Sequence, residues 1–293
     1  ASGGHSGNMY VYGVPSMRHL STIPVFTPYP ATGYGFDDES KAMLNGLTWG
    51  DAHHPALSET AGDYDGRWLF INDMNSRIAR IDLRDFKTKQ IFGPVANVSG
   101  NHSGAFVTPN TEYAMMGSRF SAPVPKANAV GIDKYAAEYK GILAAIKIDS
   151  KSGEMSLGWQ ILTPPFNWDL GDAGKKVSEG WMFWTCYNSE RATGKLEVTA
   201  SQADRDYIAA VDWKAAEKAI AEGKGDMLGG VKVLDPRKVP GIIYLMPCGK
   251  SPHGVDVSPD GKYIIGSGKL QGVTTAFNFE KVLTAIRNKD FTG

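Results

Sequence analysis

The stretch YDGRWLFI, residues 64–71, recurs near the end of the chain as PDGKYIIG, residues 259–266. A weaker third copy, PNTEYA, occupies residues 109–114. Each copy places Asp-Gly or Asn ahead of an aromatic residue and an apolar run, and these residue types supply the left-handed backbone conformations that short hairpin loops need. We therefore expect each copy to be a tight turn that enters a strand. Repetition of such a unit indicates a β-propeller.

Short apolar runs separated by turn residues continue through most of the chain. The predicted strands are 68–71, 78–83, 113–116, 142–148, 208–211, 242–246 and 263–265. This pattern is typical of an all-β sandwich, barrel or propeller, and the repeat favours a β-propeller, although its irregular spacing leaves a β-sandwich open. Minor helices are predicted at 213–222 and 280–287, where helix-forming residues cluster.

The first 60 residues differ from the remainder because they are rich in Gly, Pro and Ser and have little periodicity. We predict an N-terminal arm with the first isolated strands over residues 1–60 and a partial β-propeller over residues 61–293. The chain begins Ala-Ser-Gly-Gly without an initiator Met, which fits a mature exported protein and a shortened chain equally well.

Composition excludes several classes of function. Lys plus Arg equals Asp plus Glu at 31 each, so no net charge favours nucleic acid or an anionic membrane surface. No apolar run approaches the roughly 18 residues of a membrane span. The two cysteines, Cys186 and Cys248, lie far apart in sequence, with neither the spacing of a zinc knuckle nor the density of a disulfide scaffold, so we expect buried free thiols.

Three of the six histidines stand in the same place relative to the repeat. His54, His102 and His253 precede the aromatic residue of the first, middle and last copies by fourteen, eleven and ten residues. One strand and one hairpin would separate each histidine from its aromatic residue. In a propeller the strand that opens such a hairpin tends to be the innermost, so we expect these histidines to meet around the central channel. Single core or turn histidines are the alternative.

The segment His53-His54-Pro55 adds a fourth candidate ligand. Neighbouring side chains on an extended segment point to opposite faces, and Pro55 favours extended geometry at His54. Two adjacent histidines then serve one centre only if the chain bends or the centre contains several metals, which favours a cluster. Asp51 lies two residues before His53 and is a candidate outer partner for an imidazole nitrogen, or a solvated carboxylate.

Sites made of imidazole suit zinc, copper, iron and nickel, and the absence of nearby cysteines argues against thiolate-dominated centres. The spacing alone does not choose the metal. His5 and His19 lie in the predicted arm, where we expect them to be solvated. Two functions of other classes stay open: a propeller that binds a partner protein and uses these histidines structurally, and a zinc or iron hydrolase.

The ordered motifs of the chain resemble those of nitrous oxide reductase. They are DAHHP at 51–55, NHSG at 101–104, TCYNSE at 185–190 and SPHG at 251–254, the last followed by SPDGK at 258–262 and GKL at 268–270. The resemblance covers most of the chain after about residue 49, and the double histidine combined with the later His-Gly motif is highly specific. The variant is similar to the branch of the family exported by the general secretion (Sec) route.

This resemblance implies a seven-bladed propeller that holds a sulfide-bridged four-copper cluster on seven histidines, followed by a cupredoxin domain with a dinuclear copper site. His53, His54, His102 and His253 match the first four ligand motifs in order. The remaining three histidines and the cupredoxin site would lie beyond Gly293. We therefore expect this chain to cover about the first half of the protein and not to assemble the cluster alone.

The family also binds calcium beside the copper centre. By resemblance, Tyr187, Glu190 and Asp206 match calcium ligands, although Tyr207 stands after Asp206 where the family commonly has Trp. Ala200 and Ser251 fall where the family has Met and Asn. They are weaker candidates, acting only through a backbone oxygen or, for Ser251, a hydroxyl; without the resemblance, the acidic residues would be interpreted as a solvated surface pair.

The activity implied is the reduction of nitrous oxide to dinitrogen and water by two electrons and two protons, a step of denitrification. The resemblance further implies a periplasmic homodimer that receives electrons from a c-type cytochrome or a small copper protein. The sequence identifies no proton donor.

Overall fold

The structure is a computed structural model that describes residues 1–4, 6–27, 35–44, 52–102, 104–125, 130–187 and 206–292. Its fold is a β-propeller, as the repeat predicted, and the β-sandwich is excluded. Four sheets, called the first to fourth blades in chain order, follow one another between Ala56 and Asn278. All seven strands predicted from the apolar runs coincide with strands of these blades, with bounds that differ by up to five residues.

The first two blades contain most of the strands before residue 164. In the first blade β3, β4, β5 and β6 lie in that order, at Ala56–Thr60, Asp63–Asn72, Ile78–Asp82 and Lys87–Phe92. In the second, β7, β8, β10 and β11 lie at Phe106–Val107, Tyr113–Gly117, Tyr139–Ile148 and Met155–Thr163. Short strands extend this blade, with β9 on β10 and β16 and β15 beyond β11, at Ala122–Pro123, Val231–Leu234 and Asp226–Leu228.

The last two blades complete the described part of the propeller. The third consists of β12, β13, β14 and β17, at Asn167–Ala173, Trp181–Tyr187, Tyr207–Asp212 and Ile243–Pro247. The fourth consists of β18, β19 and β20, at Pro252–Val257, Tyr263–Gly268 and Val273–Asn278. Every pairing within the third and fourth blades is antiparallel, as expected for strands joined by hairpins.

The first strand of each blade is the innermost. β3 contacts β7, β7 contacts β12, and β12 contacts β18, although these strands belong to different blades. Each is also an edge strand of its own sheet, since the remaining strands are added on one side only. The four first strands therefore line one central channel, and residues at equivalent points along them face one another.

The hydrophobic core lies between neighbouring blades. Trp159 of the second blade and Trp184 of the third share one buried cluster, and Phe183 of the third blade joins Ile264 of the fourth in another. A strand packed on both faces loses the usual alternation, which is why the residues 142–146 are all buried. Each large side chain buried in this way stabilises the fold by about 2–3 kcal/mol.

The turns of the repeat agree with the prediction in two copies out of three. Gly261, with a φ of +74°, closes the turn that precedes β19, and Thr111, with a φ of +54°, closes the turn before β8. The prediction was wrong for the first copy, because Asp65 and Gly66 lie inside β4. The hairpin turn falls at Ala61-Gly62, and the Asp65 carboxylate instead receives hydrogen bonds from nearby side chains that hold an irregularity in the strand.

Four α-helices occur among the described residues: α1 at Asp38–Leu44, α2 at Tyr135–Glu138, α3 at Trp213–Ala221 and α4 at Phe279–Asn288. Two short 3-10 helices lie at Ile132–Lys134 and Lys176–Ser178. Both predicted helices are confirmed as α3 and α4. Each begins at a side-chain cap, since Asp212 accepts a hydrogen bond from the backbone of Ala215 and Asn278 accepts one from that of Lys281.

The N-terminal segment forms a separate hairpin of β1 and β2, at Asn8–Tyr12 and His19–Pro24. His19 is exposed on this hairpin, as expected, whereas His5 lies outside the described residues. The division of the chain at residue 60 stays a prediction. Among the helices that the structure describes, none has the length and apolar character to span a membrane.

Candidate metal centre

The candidate histidines lie where the innermost strands begin. His53 and His54 lie three and two residues before β3, His102 lies four residues before β7, and His253 is the second residue of β18. The separation of each histidine from its aromatic residue by one strand and one hairpin is therefore confirmed for the three copies. The first strands of the four blades run alongside one another around the channel. The residues at which these strands begin therefore lie at the same end of the channel.

The four imidazole rings meet in a row at that end. The ring centroids of His102 and His53 are 4.4 Å apart, those of His53 and His54 are 4.1 Å apart, and those of His54 and His253 are 6.5 Å apart. We call these four residues the histidine face. The rings of His53 and His54 do not diverge as they would on a regular strand, because β3 begins only at Ala56. The chain bends before the strand, which was one of the two arrangements that adjacent ligands required.

The environment of His54 keeps its imidazole neutral. Burial lowers its pKa to about 4, and repulsion from the neighbouring imidazoles of His53 and His253 acts in the same direction. The Nε2 atom of His54 is buried and has no hydrogen-bond partner among the described residues. A neutral imidazole with a free nitrogen is the form that binds a metal ion, and leaving it buried without a partner otherwise costs about 1–3 kcal/mol.

A glycine allows the second blade to approach His54 closely. A Cβ atom at Gly104 would lie 2.3 Å from the Cβ of His54 and 3.1 Å from its backbone oxygen, so no larger residue fits there without movement. Gly104 therefore explains the His-x-Gly pattern at 102–104, since it lets the segment that carries His102 pack directly on the segment that carries His54. Gly254, after His253, has no such restriction, because its nearest neighbour would be Leu170 Cδ1 at 3.8 Å.

The third blade contributes Asp169, a residue that sequence reasoning missed. Asp169 is the third residue of β12, and its Oδ2 atom lies 4.0 Å from His253 Nε2. Its side chain is 1% exposed, whereas that of His253 is 44% exposed. The signal that could have identified Asp169 is its position, since it stands near the start of an innermost strand where the other three blades have histidine.

Asp206 and Ser251, two of the predicted calcium ligands, are brought together. The Oδ2 atom of buried Asp206 accepts a hydrogen bond of 2.7 Å from the backbone NH of Ser251, which has a φ of +54°. Tyr187 directly follows Cys186, whose partner across the strands is Tyr207, the residue after Asp206. Asp206 thus holds the turn from which His253 extends two residues later.

Three further predicted site residues, Asp51, Glu190 and Ala200, lie outside the described residues. For Tyr187 the strand is described but the side chain is not. The roles of Asp51 as an outer partner and of Tyr187, Glu190 and Ala200 as calcium ligands therefore stay predictions. Cys186 and Cys248 are both free thiols, and burial raises the pKa of Cys248 to about 12.

The four imidazoles of the histidine face are candidate metal donors. Within the part of the chain that the structure describes, no three His, Cys, Asp or Glu side chains are placed to hold a single metal ion in common. The donor chemistry nevertheless fits copper, because neutral imidazoles are preferred copper ligands and His54 presents a buried nitrogen without a partner. The face therefore fits an incomplete multinuclear site better than a finished site for one ion.

A cavity of about 630 Å³ runs from the histidine face along the channel. It is lined by residues of all four innermost strands and reaches from His54 to Glu59, Asp172 and Lys175. Lys175 Nζ donates a hydrogen bond of 3.0 Å to Glu59 Oε1, and Asp172 Oδ2 accepts one of 2.9 Å from the backbone of Val257. Sequence reasoning missed this charged cluster, because Glu59 and Lys175 are 116 residues apart and belong to no recognised motif.

No protein-family model matches the chain. It is similar to curated nitrous-oxide reductases: 36% identical over 292 residues to that of Stutzerimonas stutzeri, 36% over 296 residues to that of Pseudomonas fluorescens, and 33% over 312 residues to that of Ralstonia nicotianae. Each match covers 96% of this chain and 44–45% of the relative. The chain therefore spans less than half the length of the curated relatives it matches.

Among solved structures, the β-propeller domain of Cps50 (Swd1) from Myceliophteria thermophila is similar to this chain, with a TM-score of 0.53 and 8% identity. The similarity covers 93% of this chain and 63% of that one, and at this identity it concerns the fold alone. The resemblance expected from the motifs is thus confirmed, and it is consistent with the N-terminal part of the relatives. Over 96% of its length, this chain is similar to the N-terminal part of the nitrous-oxide reductases.

Proposed function

We propose that this chain provides the first four copper ligands of a nitrous-oxide reductase, namely His53, His54, His102 and His253. The complete protein would reduce nitrous oxide to dinitrogen and water with two electrons and two protons. The observation that carries the proposal is the row of imidazole rings at the start of the innermost strands, with centroids 4.1–6.5 Å apart. These residues are up to 200 positions apart in the sequence, and histidines scattered over the surface would not be expected to place their rings next to one another in this way.

The number of histidines supports a centre with several metals. His53 and His54 are adjacent in sequence, and their rings contact His102 on one side and His253 on the other. A face of this length is suited to the sulfide-bridged four-copper cluster of the family, with the other ligands supplied by sequence beyond Gly293. When bound, such a cluster supplies electrons and a site that polarises an otherwise inert linear molecule.

The residues of this chain would position and shield that centre. The close approach at Gly104 fixes His54, while Asp169 lies beside His253 and helps to orient its ring. The cavity that begins at His54 gives the site a route along the channel for small molecules and protons. The apolar residues Phe106 and Leu170 in its wall suit a small neutral substrate.

The remaining features of the complete enzyme belong to the same proposal. Asp206, Ser251 and the backbone near Tyr187 would contribute oxygen ligands to calcium, with Glu190 and Ala200 completing the set, and calcium would fix the turn before His253. A cupredoxin domain with a dinuclear copper site would deliver electrons taken from a c-type cytochrome or a small copper protein. We place the protein in the periplasm, as a homodimer that acts in denitrification.

The test is nitrous oxide reduction by the full-length protein, loaded with copper without oxygen. His102→Ala and His253→Ala should each abolish turnover while the circular dichroism of the propeller is unchanged. His19→Ala is the matched control, because His19 is exposed on the N-terminal hairpin and should leave turnover unchanged. Retained turnover in either face variant would contradict the ligand assignment, and a copper-free protein that is folded and fully functional would favour a partner-binding propeller.

A second measurement on the same preparation addresses the nature of the metal. Labile sulfide together with strong visible absorption is expected of the copper-sulfide cluster. A colourless protein that holds zinc or iron without sulfide would instead support a hydrolase on the same fold.

A further inference from the structure

We propose that Glu59, Asp172 and Lys175 form a proton-holding cluster at the solvent mouth of the channel, and that Glu59 Oε2 takes up and releases the proton. The inference rests on the proposed function in one respect only, namely that the centre at the histidine face consumes the protons. The histidines lie where the innermost strands begin. Glu59, Asp172 and Lys175 lie where these strands end, at the other end of the channel.

The channel connects the two ends of these strands. Glu59 is the fourth residue of β3, so at a rise of about 3.3 Å per residue it lies at most about 17 Å along the chain from His54. Both residues line the same cavity of about 630 Å³, which has room for a chain of water molecules at roughly 30 Å³ each. Because Oε2 of Glu59 is buried, the carboxyl group must turn toward this cavity to exchange a proton with water.

The mouth of the channel opens at Tyr64. A smaller cavity of about 220 Å³ lies next to the channel and shares Tyr64, Lys175 and Val257 with it. The hairpin turns at Ala61-Gly62 and near Pro259 line this outer cavity, and Tyr64 is 71% exposed. Lys175 thus stands between solvent and the channel, with Glu59 directly behind it.

Glu59 has one oxygen that is paired and one that is available. Its Oε1 atom accepts the hydrogen bond from Lys175, whereas its Oε2 atom is buried and has no hydrogen-bond partner among the described residues. Glu59 itself is 5% exposed, and its backbone is fixed on both sides by Thr111, which exchanges hydrogen bonds of 2.8 Å with it. A carboxylate on a fixed backbone, with one buried and unsatisfied oxygen beside a cavity that Glu59 lines, is suited to binding a proton.

The charges of the cluster do not balance when both carboxyl groups are ionised. Glu59 and Asp172 share the single cation of Lys175, and Asp63, Asp256 and Tyr64 are the other titratable groups that face these three residues. All three of these neighbours are acidic or neutral, so Lys175 is the one cation among the described groups that act most strongly on the cluster. Burial, and then the remaining carboxylates, raises the pKa of both Glu59 and Asp172 above the ordinary value. One proton shared by the two carboxyl groups restores neutrality.

The proposed transfer involves only water and the carboxyl group. A hydronium ion at the mouth gives its proton to Glu59 Oε2, so an O–H bond forms there and a neutral water molecule is left. Glu59 then gives the proton to a water molecule on the inner side, and the carboxylate is restored beside Lys175. No electron is moved in either step.

Infrared spectroscopy of the metal-free full-length protein tests whether the proton is held. The wild type should show the carbonyl stretch of a carboxylic acid at a pH well above that at which exposed carboxyl groups ionise. Glu59→Gln and Asp172→Asn should each remove this band, because one carboxyl group then faces one ammonium group. Glu154→Gln, at an exposed position, is the matched control and should retain it. Absence of the band in the wild type, or its persistence in both variants, would overturn the proposal.

A third variant covers the case in which either substitution prevents folding. Lys175→Met removes the cation that opposes protonation and should extend the band to higher pH; an unchanged titration midpoint would overturn the proposal.

The copper-loaded full-length protein tests whether the proton is supplied to the centre. Glu59→Gln should lower kcat several-fold and increase the solvent deuterium isotope effect on kcat, with the KM for nitrous oxide unchanged, and Glu59→Asp should restore part of the rate. An unchanged kcat and isotope effect would overturn the supply step. Failure of the wild type to bind copper would count against the proposed function only, because the infrared measurement uses metal-free protein.

Discussion

The two ends of the central channel are built from the same four innermost strands, yet they handle charge in opposite ways. At the histidine face, bases are packed against one another, and burial keeps the imidazole of His54 neutral. At the Glu59 end, acids and a base are paired, and burial retains a proton on the carboxyl groups. At the first end, the buried Nε2 atom of His54 has no hydrogen-bond partner among the described residues, whereas the second end contains a cation, Lys175, paired with Glu59.

This difference distinguishes a candidate metal site from a polar cluster that contains its own counter-charge, at two ends of one cavity. A buried imidazole nitrogen without a partner lowers the stability of the fold until a metal ion or a hydrogen-bonding group binds it. A paired carboxylate and ammonium group, in contrast, attract each other, and this attraction offsets part of the free energy of removing them from water. We therefore expect substitutions at the histidine face to affect metal binding more than folding. Substitutions at the Glu59 end should affect stability and its pH dependence without affecting the copper content.

The largest expected effect is that of His54→Ala in the full-length protein. Since His54 contacts His53 and faces His253, its loss divides the histidine face in two, and copper content should fall to a minority of the wild-type value with loss of turnover. The free energy of unfolding of the metal-free protein should change little, because the imidazole nitrogen that is removed has no partner. Metal analysis with chemical denaturation measures both quantities, and Glu59→Gln should leave the copper content unchanged.

Gly104→Ala should have the next largest effect. The added methyl group would contact the Cβ of His54 at 2.3 Å, so the segments that carry His54 and His102 must move apart. We expect copper affinity to fall about 10–100-fold, the range found when the supports of metal ligands are altered. Gly254→Ala is the matched control, because its methyl group meets only Leu170 at 3.8 Å. Competition with a copper chelator gives the affinities, and equal values for the two variants would contradict this account.

Asp206→Asn probes the turn that carries His253. The buried carboxylate accepts the backbone NH of Ser251, and losing its charge should destabilise the metal-free protein by about 1–3 kcal/mol. Asp226→Asn is a suitable comparison, since Asp226 is exposed and pairs with exposed Lys238, where an ion pair contributes about 1 kcal/mol or less. Urea denaturation at pH 7 distinguishes the two variants, and similar losses of stability would argue against a special role for this turn.

The smallest expected effect is a change in the pH dependence of stability at the Glu59 end. A carboxyl group whose pKa is raised in the folded state stabilises the protein fully below its unfolded pKa of about 4.3, and this contribution is lost as the pH rises through the folded value. The free energy of unfolding of the wild type should therefore fall, relative to Glu59→Gln, as the pH is raised from about 4 toward neutrality. Each unit of raised pKa contributes about 1.4 kcal/mol.

Parallel pH profiles for the wild type and Glu59→Gln would show that the carboxyl group ionises as it does in the unfolded chain. The same titration extended to acid provides an internal reference at Asp65. Burial alone would raise the pKa of Asp65, but hydrogen bonds from Ser58, the Arg67 backbone, Thr60 and the Arg67 side chain lower it to about 2. Its contribution is therefore present above about 3.8 and lost as the pH falls toward 2, the opposite direction from Glu59.

The fold could be predicted because its signals are local. The turn residues before Tyr113 and Tyr263 and the short apolar runs are readable within a few positions, and they specify hairpins wherever they occur. The first hairpin was misplaced because Asp65-Gly66 has the composition of a turn, whereas its carboxylate serves an irregularity inside β4. Sequence composition alone does not separate these two uses of the same dipeptide.

The meeting of His54, His102 and His253 could also be predicted from local signals, because each of them precedes a copy of the repeat by a similar number of residues. Each histidine could therefore be assigned to an equivalent position in its blade. Asp169 was missed because the third blade lacks a recognisable copy of the repeat, so no register was assigned to β12. Glu59, Asp172 and Lys175 were missed because they meet only through the closure of blades around the channel. Contacts between residues more than 100 positions apart become visible only after the strands have been placed.

The most direct test of the central claim is X-ray absorption at the copper edge of the full-length protein, loaded with copper without oxygen, for the wild type and for single alanine variants at His53, His54, His102 and His253. We predict multiple scattering from imidazole rings in the wild type, and a loss of imidazole scattering or of copper in each of the four variants. Copper content and imidazole scattering that are unchanged in all four variants would show that the histidine face does not hold the metal.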